Sequence, residues 1–247
     1  MKNKKKWVFL YLQTTLKMDP FPVSFFSLAL VLNLLGRKEK DIDDDIRSTL
    51  ESRSSRERDL SAVKHNGWAL KNLPHRKEDR EIVLVAVTQY GVALYYASDH
   101  FKNDREVVLA AVKKNGYALK WASDEIKNDR EVVLAAVNQN GNALVYASGE
   151  LKNDREVVLS AVTRNGYSLN YGSKHLKNDR EVVLAAVNQN GLALDYVSEL
   201  LRDDKEVVLT ALNQNGDAIF YVEAEDYIEF CNAAERNYTL TGRYDSD

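Results

Sequence analysis

The sequence has few of the residues that break helices or cross-link a chain. Only 3 prolines and 1 cysteine, Cys231, occur among its 247 residues. The scarcity of proline leaves long stretches free to form helices. A single cysteine excludes an internal disulfide and a zinc site built from several thiols. Because this usage favours a reducing compartment, we expect a cytoplasmic protein.

A strong excess of one charge sign is also missing. Lys and Arg number 34 against 37 Asp and Glu, so the formal net charge is -3. Since a dedicated nucleic-acid-binding protein normally carries a clear basic excess, we expect no nucleic-acid partner. The 45% of hydrophobic residues are enough for a sizeable core.

Motifs that carry known chemistry are absent as well. The sequence contains no phosphate-binding loop, no Gly-x-Ser-x-Gly element and no His-Glu-x-x-His motif. Its 4 histidines are scattered. The acidic run Asp41–Asp45 lacks the glycine and distal glutamate of a calcium loop, and we interpret it as a solvated linker. We therefore expect no enzyme, and no catalytic, cofactor-binding or metal site.

A repeat of 25 residues dominates the sequence. The string Lys-Asn-Asp-Arg-Glu-Val-Val-Leu begins, 25 residues apart each time, at Lys102, Lys127, Lys152 and Lys177. Diverged copies start at Asp79 and Asp204, and a less regular copy aligns from Ser55. The chain thus holds seven units, and self-similarity at such a period indicates a repeat architecture.

Each unit is predicted to contain two short helices. The first begins at Asn103 or Asp104, since both residue types cap helices, and the capping-box spacing from Asn103 to Glu106 slightly favours Asn103. It is expected to end at Gly116, with the glycine in the left-handed conformation that commonly follows a helix. The second helix is predicted over residues 117–123.

Helices this short are unstable alone in water and must bury their apolar faces against neighbouring units. We therefore predict an all-α fold of tandem two-helix repeats, stacked as an α-solenoid or a compact superhelix. The predicted regions are an N-terminal segment and linker (1–53), seven repeats (54–228), and a C-terminal cap and tail (229–247).

The repeat resembles a known family. Its succession of Asp-Arg-Glu-Val-Val-Leu-Ala-Ala-Val, Asn-Gly and Ala-Leu-x-Tyr-Ala-Ser, from about Ser55 to Tyr227, is similar to the family catalogued as domain of unknown function 4116. This resemblance implies a helical array without an established activity. It brings no catalytic residues to this chain.

Two recurring groups of side chains have both a functional and an architectural interpretation. The Asp-Arg-Glu triplet stands at the same place in each unit, whereas an active site needs unlike groups that converge once. We therefore predict a cap followed by an Arg–Glu ladder between units. A recurring aromatic residue is predicted to pack in the core, with base stacking or peptide binding as the alternative. The aromatic positions are Tyr96, Trp121, Tyr146, Tyr171, Tyr196 and Tyr221.

Two slots of the second helix vary between units beside a constant scaffold. They are the residue after the glycine and the residue three positions further on, which share one helix face. Such a variable strip is typical of a binding surface on a repeat array, and neutral drift at exposed sites is an equal alternative. The candidate partner-binding residues are Tyr95, Tyr117, Lys120, Asn142, Val145, Tyr167, Asn170, Leu192 and Asp195.

An apolar run outside the repeat, residues 20–36, follows a lysine-rich start. It is short for a membrane span, which needs roughly 20 residues, and we favour a buried helix that caps the first repeat. A membrane anchor through residues 21–36 and a signal segment are the alternatives.

The leading functional hypothesis is a non-enzymatic scaffold that binds a protein or peptide along the array. A membrane-tethered repeat protein is the second hypothesis, and an enzyme with an unrecognised site is the remote third.

Overall fold

A computed structural model describes the backbone of residues 39–222 and the side chains of residues 47–222. The chain divides into two compact units, Met1–Asp59 and Leu60–Asp247. The apolar run at 20–36 and the predicted C-terminal cap at 229–247 lie outside the described residues. Within residues 39–222, no helix combines the length and the apolar character that a membrane crossing requires.

The acidic run Asp41–Asp45 is helical and belongs to the helix Glu39–His65. Carboxylates near the start of a helix interact favourably with its dipole. A helix is compatible with a linker, so the solvated linker stays a prediction.

The second unit repeats one three-part motif. An Asp residue caps a ten-residue α-helix, which we name the repeat helix, and an Asn residue ends it and begins a six-residue 3-10 helix. A short helical turn then leads to the next Asp. The repeat helices span Arg80–Gln89, Arg105–Lys114, Arg130–Gln139, Arg155–Arg164, Arg180–Gln189 and Lys205–Gln214.

The remaining elements complete the motif in each repeat. The 3-10 helices span Gly67–Asn72, Gly91–Tyr96, Gly116–Trp121, Gly141–Tyr146, Gly166–Tyr171, Gly191–Tyr196 and Gly216–Tyr221. The connecting turns span Pro74–Arg76, Asp99–Lys102, Asp124–Lys127, Leu151–Asn153, Leu176–Asn178 and Glu199–Arg202. The predicted all-α repeat fold is confirmed, since no strand occurs in the part of the chain that the structure describes.

The second helix of each unit is a 3-10 helix and is shorter than predicted. It lies between two points that other repeats hold. The glycine at its start approaches the next repeat helix, and the serine that follows it donates its backbone N–H to the connecting turn before its own repeat helix. A 3-10 helix rises about 2.0 Å per residue against about 1.5 Å for an α-helix. The same six residues therefore span about 12 Å rather than about 9 Å between these points.

Packing occurs between successive repeats. Each repeat helix packs against the repeat helices before and after it, and the 3-10 helices form a second layer in the same way. Val107, Val108, Ala111 and Val112 of one repeat helix are fully buried, as is Leu119 of the following 3-10 helix. Since equivalent residues are buried in the neighbouring repeats, the core is continuous along the array.

The recurring glycine is required by a close approach between repeats. Gly116 does not adopt the left-handed conformation, so the predicted reason for its presence is wrong. A Cβ atom at this position would overlap the backbone carbonyl oxygen of Ala136 in the next repeat. The same overlap recurs for five further pairs: Gly67 and Ala86, Gly91 and Ala111, Gly141 and Ala161, Gly166 and Ala186, and Gly191 and Ala211.

We expect Gly116→Ala to destabilise the array by about 1–3 kcal/mol, because the added methyl group forces the two backbones apart. Urea unfolding followed by circular dichroism measures the loss. The matched control is Gly216→Ala, in the same slot of the last repeat, where no described atom lies within 4 Å of the added Cβ. An equal loss in both variants contradicts the close-approach explanation.

Candidate functional site

The repeated Asp-Arg-Glu triplet forms a ladder between successive repeats. The Nε atom of Arg105 lies 2.7 Å from Oδ2 of Asp129 in the next repeat. The Nη2 atom of the same guanidinium donates a hydrogen bond to the carboxylate of Glu131. Equivalent contacts link the following repeats. The predicted Arg–Glu ladder is thus confirmed, with the capping Asp as an additional partner.

Each capping carboxylate divides its two oxygens between two tasks. In Asp179, Oδ1 accepts the backbone N–H groups of Glu181 and Val182 at 3.1 and 3.2 Å. Its Oδ2 accepts from Nε of Arg155 at 2.8 Å. The Arg155 hydrogen bond lowers the pKa of Asp179 against the effect of partial burial, and the Val182 N–H group lowers it further. The negative charge of Asp179 is therefore paired within the array, with Arg155 of the preceding repeat.

In four repeats, an asparagine before the capping Asp ties its repeat to the next one. Asp104 caps the helix, so the preference for Asn103 is wrong. The reason is that Oδ1 of Asn103 accepts from the hydroxyl of Ser123 at 2.5 Å, while its Nδ2 donates to Glu125 at 2.9 Å. Ser123 also donates its backbone N–H to the carbonyl oxygen of Lys102 at 2.9 Å.

One of these ties is incomplete. The backbone N–H of Ser98 donates to the carbonyl oxygen of Lys77 at 3.1 Å. The hydroxyl of Ser98 is buried, however, and has no partner within the described residues. Residue 78 is Glu, where the next four repeats have Asn. This exchange accounts for the unpaired hydroxyl.

The aromatic ladder packs against the core, as predicted. All six of its residues, Tyr96, Trp121, Tyr146, Tyr171, Tyr196 and Tyr221, are half-buried against buried core residues. Each of them is the last residue of its 3-10 helix.

The variable strip lies on the exposed side of the 3-10 helices. Its two slots are three residues apart, and side chains at this spacing eclipse one another in a 3-10 helix. The exposed members are Tyr95, Lys120, Tyr167, Asn170 and Asp195, and the half-buried members are Tyr117, Asn142, Val145 and Leu192. The structure thus brings all nine candidate residues onto one layer.

Strip residues contact the aromatic ladder of the next repeat. The ring centroids of Tyr117 and Tyr146 lie 6.2 Å apart in an edge-to-face arrangement, and those of Tyr167 and Tyr196 lie 6.1 Å apart. Within its own repeat, the Nζ atom of Lys120 lies 5.7 Å from the centroid of the Trp121 ring. Asn142 is partly structural, because its Oδ1 accepts from the Ser168 hydroxyl at 3.3 Å.

Five aromatic rings form a continuous, partly exposed cluster in the first repeats. Trp68 contacts Tyr90 and Tyr96 with centroid separations of 5.0 and 5.6 Å. Tyr95 contacts Tyr96 at 4.9 Å and Trp121 at 5.9 Å. Tyr95 is 55% exposed, Tyr90 41% and Trp68 40%. We name these five residues the aromatic cluster. Exposed aromatic rings in mutual contact are typical of the centre of a protein interface.

Carboxamide side chains line a groove at the C-terminal ends of the repeat helices. The cavity has a volume of about 690 Å³. Its lining includes Gln139, Asn140, Arg164, Asn165, Gln189 and Asn190. We name this surface the amide groove. Tyr167 also lines it and therefore belongs to both the groove and the variable strip.

The amide groove was not predicted from the sequence, although a signal for it exists. The three residues before each recurring glycine include no Asp or Glu in any of the seven repeats, in a chain whose acidic residues outnumber its basic ones. The cationic residues at these positions are Lys64, Lys113, Lys114 and Arg164, and one histidine, His65, also lies there. One end of the repeat-helix layer is thus free of carboxylates, whereas the Asp-Arg-Glu ladder occupies the other.

The fold and these surfaces define a tandem helical-repeat protein. The chain belongs to the family described as domain of unknown function (DUF4116). The family model matches six overlapping stretches: 60–102, 79–127, 104–152, 129–177, 154–199 and 179–226. No curated protein and no solved structure gives a significant match to this chain.

We expect Glu78→Asn to stabilise the array by about 0.5–1.5 kcal/mol, because it supplies the missing acceptor for the buried Ser98 hydroxyl. The midpoint of urea unfolding measures the change. Glu78→Gln is the control, since it removes the same charge without restoring the Asn geometry. A stabilisation of equal size in the control attributes the gain to charge and contradicts the hydrogen-bond explanation.

Proposed function

We propose that this repeat array is a non-enzymatic scaffold that binds a protein or peptide partner through the variable strip. The observation that carries the proposal is the aromatic cluster. Three of its five rings are exposed, and two of these, Trp68 and Tyr95, occupy strip slots. Aromatic anchors of this kind supply most of the binding energy of a protein interface.

The arrangement of the strip supports the same proposal. The residues that tie one repeat to the next recur in most repeats, whereas the strip residues differ in size, charge and polarity from repeat to repeat. A constant scaffold lets each repeat present a different side chain at the same place. The ladder carboxylates and guanidinium groups are paired with one another, which favours a structural role for them over a catalytic one.

The test combines Tyr95→Ala, Tyr117→Ala and Lys120→Ala in the full-length chain. Affinity purification with mass spectrometry from the native cell compares this variant with the unchanged protein. Removing several interface anchors costs more than about 1.4 kcal/mol, so we expect the recovery of at least one partner to fall about tenfold or more.

The matched control is a triple alanine variant at Lys174, Glu199 and Asp203, which are exposed residues of the connecting segments. It should retain the partner, and both variants should keep the helical circular-dichroism signal of the unchanged protein. Equal recovery with the strip variant, or the absence of any partner that distinguishes the two variants, counts against the proposal.

A further inference from the structure

The amide groove presents hydrogen-bond donors because its carboxamide oxygens are already engaged. Oδ1 of Asn140 accepts the backbone N–H of Asn142 at 3.0 Å. Oδ1 of Asn165 accepts from Tyr167 at 3.1 Å. Asn190 makes the equivalent bond in the next repeat. Each bond begins a 3-10 helix, so these three side chains are fixed by the fold.

The glutamine side chains of the groove are held in the same way across the repeat boundary. Oε1 of Gln139 accepts the backbone N–H of Gly116 at 2.5 Å, and Oε1 of Gln189 accepts that of Gly166 at 2.5 Å. A glycine at the start of the 3-10 helix allows this approach, because a Cβ atom on Gly116 would lie 3.1 Å from the Gln139 oxygen.

These bonds decide which way each amide faces. A backbone N–H only donates, so the side-chain atom that meets it must be the oxygen. The amide nitrogen is then left for other partners. Within residues 47–222, the Nδ2 atoms of Asn140, Asn165 and Asn190 have no hydrogen-bond partner, and each nitrogen carries two N–H donors. The groove therefore offers a row of oriented donors.

The charge of the groove matches this donor character. Arg164 lies among the amides, and none of the lining residues is acidic. The chain as a whole carries a formal charge of -3. A ligand for this surface should therefore be rich in hydrogen-bond acceptors and carry negative charge near Arg164.

We propose that the amide groove binds an extended acidic peptide segment. The peptide main-chain carbonyl oxygens would accept from the amide nitrogens, and one Asp or Glu side chain would pair with Arg164. An extended peptide suits this surface because its carbonyl groups have no internal partners. Arg in turn forms strong, often bidentate contacts with carboxylates. This inference rests on the proposed peptide-binding function and names the chemistry of the partner.

The density of charge favours a peptide over a polynucleotide. A nucleic acid carries a phosphate at every nucleotide, and proteins that follow its backbone line the path with cations. The amide groove has one cation, Arg164, among neutral donors. That composition suits neutral carbonyl groups with an occasional carboxylate.

The test uses a displayed library of random linear peptides, selected on the full-length protein. Binding of an enriched peptide is then measured for two double variants of equal charge. The groove variant combines Asn165→Asp and Asn190→Asp, and each new carboxylate still accepts the capping N–H while its outward donor is lost. The control combines Asn153→Asp and Asn178→Asp, whose Oδ1 atoms accept from Ser173 and Ser198 at 2.6 Å. A third variant, Arg164→Glu, reverses the charge of the groove.

We expect enriched peptides to contain Asp or Glu, and their affinity to fall about tenfold or more in the groove double variant and in Arg164→Glu. The control double variant should bind as the unchanged protein does. Peptides without an acidic preference, or with equal affinity for both double variants, overturn the inference. Tighter binding of an oligothymidylate probe than of any selected peptide also overturns it.

The outcomes separate this inference from the proposed function. Peptides whose binding depends on Tyr95, Tyr117 and Lys120, and not on the groove, overturn the inference and leave the scaffold function supported. If the library yields no binder, the inference is overturned, and the groove no longer supports a peptide-binding function.

Discussion

The close approach of two backbones at each repeat boundary is the constraint on which the array depends. The first residue of a 3-10 helix lies against the carbonyl oxygen of the alanine at the seventh position of the next repeat helix, and only glycine leaves room for that approach. The approach brings Gln139 within hydrogen-bond reach of Gly116. The Arg–Asp–Glu ladder and the Ser–Lys backbone bond lie on the same boundary. They recur with the 25-residue period because each boundary is built alike.

Four features could be predicted from the sequence: the period, the all-α repeat fold, the Asp residues as candidate caps, and the Arg–Glu ladder. Each of these features depends on local spacing. The sequence did not reveal why Gly116 is needed. A glycine at a helix end suits a left-handed cap and a close approach equally well, and only the position of Ala136 distinguishes them. The preference for Asn103 as cap failed for a similar reason, since its partners, Ser123 and Glu125, lie about one repeat further along.

The candidate surfaces differ in how far they were predictable. The strip positions follow from variation between repeats, and the structure places them on the layer of 3-10 helices, where they are exposed or half-buried. The amide groove depends on the direction in which each carboxamide points, and that direction is fixed by backbone N–H groups up to one repeat away. Its lack of carboxylates was visible in the sequence. The array thus pairs its charges at one end of the helix layer and leaves donors at the other.

Boundaries of one common design between neighbouring repeats hold the array together. The most direct test is to excise residues 130–154, one full period, so that Asp129 is followed by Arg155 and the boundary is rebuilt from equivalent residues. Circular dichroism should show an unchanged helical signal per residue and one cooperative unfolding at a lower urea midpoint, because stability in such arrays is roughly a sum over nearest-neighbour contacts. Loss of the helical signal or of cooperative unfolding in the shortened chain would contradict the claim.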